Sequence, residues 1–278
     1  MKNKVIYAVF AAIFPLVGCT QSGGSGSSPE LVVGTVGISV PAEVKDATDD
    51  ATEVRYIMQA WTVGENGTSG ELAFEYVWPG RTVGKGVNEP VRMIPGVYNI
   101  LFWADRDADG SGKDVYNAED LNNVRVVVLQ SGGSGTGENS YVSGDERDAF
   151  CGVLKNQTFA AGTALNVTLT RPLARVVVEN ATAFVEEGDV SLTATGIPMG
   201  YNVLTETPIA GDSQVTIGYG VAAAGTTAVF TDYFFPPVPS APIEGTLKVG
   251  EAEQTLSLGS EDIVANYTTN ITLNLNIR

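Results

Sequence analysis

The sequence predicts an all-β protein, and three observations carry that expectation. Apolar and polar residues alternate with period two through run after run, glycine and proline punctuate the runs, and helical signals are weak. Alternation sends successive side chains to opposite faces of a strand, so one face packs on a core while the other meets solvent.

Residues 1–18 read as an export signal before any fold begins. Lys2 and Lys4 precede an apolar run over 5–17, which is short for a helix crossing a ~30 Å bilayer core. The run closes as Leu16-Val17-Gly18-Cys19, the arrangement that marks a bacterial lipoprotein: Gly18 leaves room for a signal peptidase and the Cys19 thiol takes the diacylglycerol. Two or more acyl chains make such an anchor stable. The alternative is an ordinary secretory signal with a coincidental cysteine. Residues 19–30, rich in glycine and serine, form a flexible tether.

The strands follow in order. Val36, Ile38 and Val40 alternate with Gly37 and Ser39 in a first strand over about 31–40. Leu72, Phe74, Tyr76 and Trp78 share one face of another, with Glu71 and Glu75 opposite. Residues 97–104 are apolar on both faces, as a central strand requires. Residues 117–122 and 144–150 have the composition for a turn or two of helix. Leu165, Val167 and Leu169 alternate with Asn166, Thr168 and Thr170, and residues 165–179 read as extended throughout, with Pro172 interrupting the ladder. Residues 233–239, Tyr-Phe-Phe-Pro-Pro-Val-Pro, mark a strand ending at a sheet edge. Gly250-Glu251 is a two-residue hairpin turn, and Ile271, Leu273, Leu275 and Ile277 repeat the alternation at the end. The expected architecture is two β-sandwiches in series, 31–170 and 171–278, joined by a continuous strand.

Composition narrows the function. The 278 residues carry 16 Lys+Arg against 32 Asp+Glu, a net charge of −16, which repels nucleic acid and provides no basic patch for it. Histidine is absent, which excludes Ser-His-Asp and Cys-His catalysis and histidine-bound zinc. With Cys19 acylated, Cys151 has no disulfide partner, and its apolar setting predicts a buried, inert thiol. Asn-x-Ser/Thr triplets at Asn66, Asn156, Asn166, Asn180, Asn266 and Asn270 read as by-products of strands and turns rich in threonine and asparagine.

One local motif points to a cofactor. Asp105, Asp107 and Asp109 alternate ahead of Gly110, the first half of a calcium loop, since hard oxygen ligands and a tight glycine turn suit Ca²⁺. Position twelve is Tyr116 where an EF-hand has a bidentate Glu, so Asp114 or Glu119 would have to complete the site; the alternative is a solvated acidic hairpin tip. Carboxylates are abundant, yet no pair is singled out for glycoside hydrolysis, and no catalytic activity is expected. Trp61, Trp78, Trp103 and residues 233–235 are candidate sugar platforms, with core packing as their ordinary role in strands.

Four landmarks in order resemble the fimbrillin-like surface lipoproteins of Bacteroidales: the Cys19 lipobox; Tyr98-Asn-Ile-Leu-Phe-Trp-Ala-Asp105; Glu146-Arg-Asp-Ala-Phe150 followed by Leu169-Thr-Arg-Pro-Leu-Ala-Arg-Val176; and Asn266-Tyr-Thr-Thr-Asn-Ile271. The resemblance implies two tandem transthyretin-like Greek-key sandwiches, a lipid anchor in the outer membrane, and fimbrial partners engaged by strand exchange. In pilus-forming relatives a protease cuts after an arginine beyond the first strand, and a strand of the next subunit fills the groove. Here residues 41–52 contain no arginine and Lys45 is their one basic residue, so Lys45 is the candidate processing site. The last strand ends at Arg278 without a donor segment, which resembles a tip or accessory subunit, or a stand-alone surface lipoprotein, more than a stalk subunit. The expected function is thus adhesive or structural, with host or bacterial surface ligands as partners. The alternative is a tethered glycan-binding module, assisted by calcium.

Overall fold

The computed structural model describes residues 29–40, 52–106, 115–130, 139–141, 144–211 and 213–275. The fold is all-β. The first half contributes β1 (Val32–Ser39), β2 (Glu53–Val63), β3 (Ser69–Thr82), β4 (Val87–Met93), β5 (Gly96–Asp105), β6 (Tyr116–Asn117), β7 (Val124–Val126), β8 (Val128–Gln130), β9 (Asn139–Tyr141), β10 (Ala149–Phe159) and β11 (Ala164–Thr168). The second contributes β12 (Ala174–Asn180), β13 (Gly188–Thr195), β14 (Gly200–Asn202), β15 (Thr207–Ile209), β16 (Val215–Ala222), β17 (Ala228–Phe234), β18 (Ile243–Val249), β19 (Ala252–Leu258) and β20 (Thr268–Leu273).

Both halves share one connectivity. The sheets β11-β1-β4 and β10-β5-β2-β3 use strands before Thr170; β17-β12-β20 and β16-β13-β18-β19 use strands after it. In each half the first strand is central in a three-stranded sheet, parallel to the last strand and antiparallel to the fourth. The second strand pairs with the third and the fifth, and the fifth with the sixth. Strands β6 to β9 interrupt this plan in the first half, β14 and β15 in the second, and the two interruptions pair as one sheet, β15-β14-β7-β6.

The apolar faces fill two clusters. Val36, Ile38 and Val40 of the first strand and its exit meet Tyr56, Met58, Ile100, Phe102, Phe150 and Leu169 in one. The other face of the same four-stranded sheet supplies Ile57, Leu101, Trp103 and Cys151 to a second cluster, which runs through Val124 and Tyr201 to Leu192, Leu247 and Leu273. Strand β5 is therefore buried on both faces, as its uninterrupted apolar run predicts. Each fully buried aliphatic side chain contributes about 1.5–3 kcal/mol.

Local differences from the sequence reading have physical reasons. Residues 144–150 hold one 3₁₀ turn, Gly144–Arg147, before β10 begins, and 117–122 continue β6 into turns instead of a helix. The stretch 165–179 is two strands in different sheets, β11 and β12, broken around Pro172, whose missing N–H cannot extend a ladder. Gly250 closes the β18–β19 hairpin at φ +57°, a conformation a side chain would strain.

Candidate functional site

Strand β1 holds in the first half the central place that β12 holds in the second. It lies between two neighbours, with Thr35 to Ser39 beside Ala164 to Thr168 on β11 and Val32 to Ile38 beside Met93 to Val87 on β4. Its inward residues Val36, Ile38 and Val40 are 0%, 3% and 5% exposed, whereas Leu31 and Val33 face outward at 47% each. Gly34 admits the Phe159 ring: a Cβ there would stand 2.6 Å from both the ring and the Thr163 carbonyl. That contact fixes the register, because a one-residue slip would reverse the strand's faces.

The edges around β1 are closed. The Tyr76 hydroxyl donates to the Arg92 carbonyl at 2.6 Å and accepts from the Arg92 N–H at 2.8 Å, so β3 ties off the outer edge of β4. On the other side Cys151 of β10 bridges to Thr170 just beyond β11. Lifting β1 out would open two facing rows of backbone N–H and C=O groups above an apolar floor.

The joint between the halves is polar and dry. Arg171, 3% exposed, donates through Nε to Oδ1 of Asp148 at 2.7 Å and through Nη2 to Oδ2 at 3.0 Å. Its guanidinium lies 5.5 Å from the ring centroids of both Phe150 and Tyr233. Next to it Arg147 donates to Asp232 at 3.3 Å, and Asp232 also accepts from the Tyr219 hydroxyl and the Gly144 and Tyr233 N–H groups. Burial raises the Asp232 carboxyl above its ordinary value, while Arg147 and the other donors pull it back. Arg147, Asp148 and Arg171 stand in the sequence landmarks around 146–150 and 169–176, but their partners lie 85 and 23 residues away along the chain, so spacing does not announce the pairs.

The predicted site residues fall as follows. Cys19, Lys45, Asp107, Asp109 and Asp114 lie outside the described residues. Asp105 is 2% exposed at the end of β5, where Arg55 donates to both its oxygens at 3.1 and 2.8 Å and Trp103 Nε1 donates at 2.8 Å. Glu119 gives its carbonyl to Gln59, which also holds Glu75, Trp61 and the Leu121 N–H. Among the described residues no group of three or more Cys, Asp or Glu is placed to hold a metal ion. Cys151 is buried, and desolvation pushes its thiol up to about 12. Trp78, Trp103, Tyr233, Phe234 and Phe235 are buried, with Trp61 partly so; among the described residues the exposed aromatic side chain is Tyr267, at 68%, just before β20.

Residues 32–275 match a family described as of unknown function, DUF6562. No curated protein matches the chain. A solved structure of a candidate polysaccharide-binding protein (DUF1812) from Bacteroides thetaiotaomicron superposes with a TM-score of 0.52 at 9% identity, covering 83% of this chain and 81% of that one. A candidate adhesin from the same species gives 0.48 at 11% identity, covering 84% and 80%. The tip fimbrial protein Mfa3 from Porphyromonas gingivalis, with a C-terminal truncation, gives 0.44 at 15% identity, covering 82% and 81%.

Proposed function

The chain belongs to the DUF6562 family of unknown function, and from that premise we propose that it is an adhesive, fimbrial-type surface subunit that acts through exchange of its first strand. The carrying observation is the seat of β1: central in its sheet, paired on both sides, and preceded by no other described strand. Backbone pairing supplies affinity in such an exchange, and alternate side chains entering the core supply register. The names of the solved structures it resembles, a candidate adhesin and a fimbrial tip protein among them, are in keeping with this reading.

Anchoring through acylated Cys19 in the outer membrane belongs to the same proposal, as does cleavage after Lys45 to free β1 from β2. Palmitate labelling that disappears in Cys19→Ala would support the anchor. An N-terminus at Asp46 on surface-shed protein would support the cut, and shed protein still carrying residues 31–45 would refute it.

The deciding experiment removes β1. A chain starting at residue 46 should melt well below the full-length protein and recover when a peptide of residues 29–40 is added. Equal melting temperatures with and without β1 would end the strand-exchange reading.

A further inference from the structure

The two halves differ at one sheet edge. In a parallel ladder alternate residues of a strand face its partner and the rest face away. The Arg175 N–H donates to the Tyr267 carbonyl at 3.0 Å and the Ala181 N–H to the Leu273 carbonyl at 2.7 Å, so Tyr267, Thr269, Ile271 and Leu273 face β12. The backbone N–H and C=O groups of Asn270 and Thr272 therefore point the other way, where β20 has no neighbouring strand among the described residues. Both residues are exposed.

The matching edge of the first half is β11, whose Asn166-Val-Thr-Leu169 returns as Asn270-Ile-Thr-Leu273. There β10 closes the edge. The Cys151 and Thr170 backbones exchange bonds of 2.8 and 2.9 Å, and a Cβ on Gly152 would stand 2.8 Å from Val167. Strand β19 holds the place of β10 in the second half, yet among the described residues it makes no such bridge to β20. Several other edges are guarded: Tyr76 ties β3 to β4, β9 lies along β16, Pro208 sits in β15 and Glu253 in β19. Strand β20 carries none of these devices. No charged residue stands between Asp262 and Arg278, in a chain of net charge −16. An uncharged open edge is where two copies of so acidic a protein meet with least repulsion.

We propose that β20 is the contact through which two copies of this chain pair, edge to edge and antiparallel, about a two-fold axis near Ile271 and Thr272. Self-pairing sets the outward groups of Asn270 and Thr272 against the same groups of the second copy, which satisfies both rows at once. The two three-stranded sheets then run on as one of six strands. Threonine and asparagine side chains meet across the axis, a pairing that hydrogen-bonds without charge. Tyr267, 68% exposed just before the strand, stands at each end of the contact. The pairing goes beyond first-strand exchange and does not depend on it, since β1 lies in another sheet.

Sedimentation of the full-length protein carrying Cys19→Ser tests this, because neither an acyl chain nor a disulfide through residue 19 then joins the copies. The protein should form a reversible dimer as its concentration rises. Asn270→Pro deletes an N–H that faces the open edge and leaves the β12 ladder intact, so it should raise the dimer dissociation constant about tenfold or more. Asn166→Pro, at the matching place on β11, should leave the constant unchanged. Thr272→Lys keeps every backbone group and sets like charges across the axis; it should weaken the dimer likewise, and it decides the matter where the proline variant fails to fold. A protein that stays monomeric up to about 1 mM overturns the inference. So does a dimer that ignores the β20 substitutions, or one that Asn166→Pro weakens as much as Asn270→Pro does, for then the contact is not β20 against β20.

Discussion

Arg171 is held by a bidentate carboxylate and two aromatic rings with almost no access to water. Truncating one member of such a pair leaves the other charge buried alone, at a cost of about 3–5 kcal/mol. Arg171→Ala should lose that much in denaturant unfolding, whereas Arg171→Met with Asp148→Leu should lose less than half of it. Equal losses would show that packing on Phe150 and Tyr233, and not charge, sets the value. Asp105 makes a parallel case. The alternating aspartates at 105, 107 and 109 suggest a cation loop because sequence shows local spacing, but the Arg55 that grips Asp105 lies 50 residues away. Asp105→Asn should destabilise by about 2–3 kcal/mol with or without calcium; a loss seen only in millimolar calcium would assign the carboxylate to the metal. The buried Cys151 was readable from its neighbours. Its thiol keeps its proton in the fold while the unfolded chain releases one near 9, so the stability tied to it holds at neutral pH and is lost as pH rises from 9.0 towards about 12. In a Cys19→Ser protein, thiol reagent at pH 8 should react only after unfolding.

Strands were the most legible level, because alternation is a local record of which face meets the core. Residues 74–78 and 97–104 fold as that record reads, whereas Leu72, expected on the same face as Phe74, is 37% exposed beyond a register shift between β2 and β3. Sheet partners were not legible. Strand β1 pairs in parallel with β11, more than 120 positions later, and no local pattern encodes that choice. The asparagines of three Asn-x-Thr triplets, Asn66, Asn156 and Asn266, adopt φ of 56°, 52° and 64°, which explains them as turn and bulge residues tolerant of left-handed backbone. Two substitutions test how β1 is held. Gly34→Ala forces a methyl against the Phe159 ring and the Thr163 carbonyl, and the backbone oxygen cannot swing aside, so the melting temperature should fall clearly. Tyr76→Phe leaves the Arg92 edge groups to water and should cost about 1 kcal/mol. If Gly34→Ala melts like the parent, β1 is not seated against Phe159.

At the scale of the whole molecule, the repeated seven-strand plan suggests two independent bodies, and the interruptions argue against independence. Strand β7 of the first half pairs with β14 of the second, and β9 lies alongside β16. Tyr201 stacks on Phe235 with centroids 5.2 Å apart, and the same cluster takes in Trp103 and Leu101 from the first half's sheet. Halves that share an apolar cluster, a sheet and two buried ion pairs should unfold together, since neither can open without exposing the other's core. The 3 tryptophans, Trp61, Trp78 and Trp103, all lie in the first half, which provides a one-sided reporter. Leu192, 3% exposed on β13, sits deep in the second. Leu192→Ala should lose about 2–5 kcal/mol, and the tryptophan-detected midpoint should fall with the circular-dichroism midpoint as one transition. An unmoved tryptophan transition beside a second, earlier one would mean that the shared sheet does not couple the halves. Coupling also bears on the proposed strand exchange: if β1 were to leave, the polar joint and the mixed sheet would still tie Arg171 and Asp148 to the rest of the fold, so loss of β1 should not by itself separate the two halves.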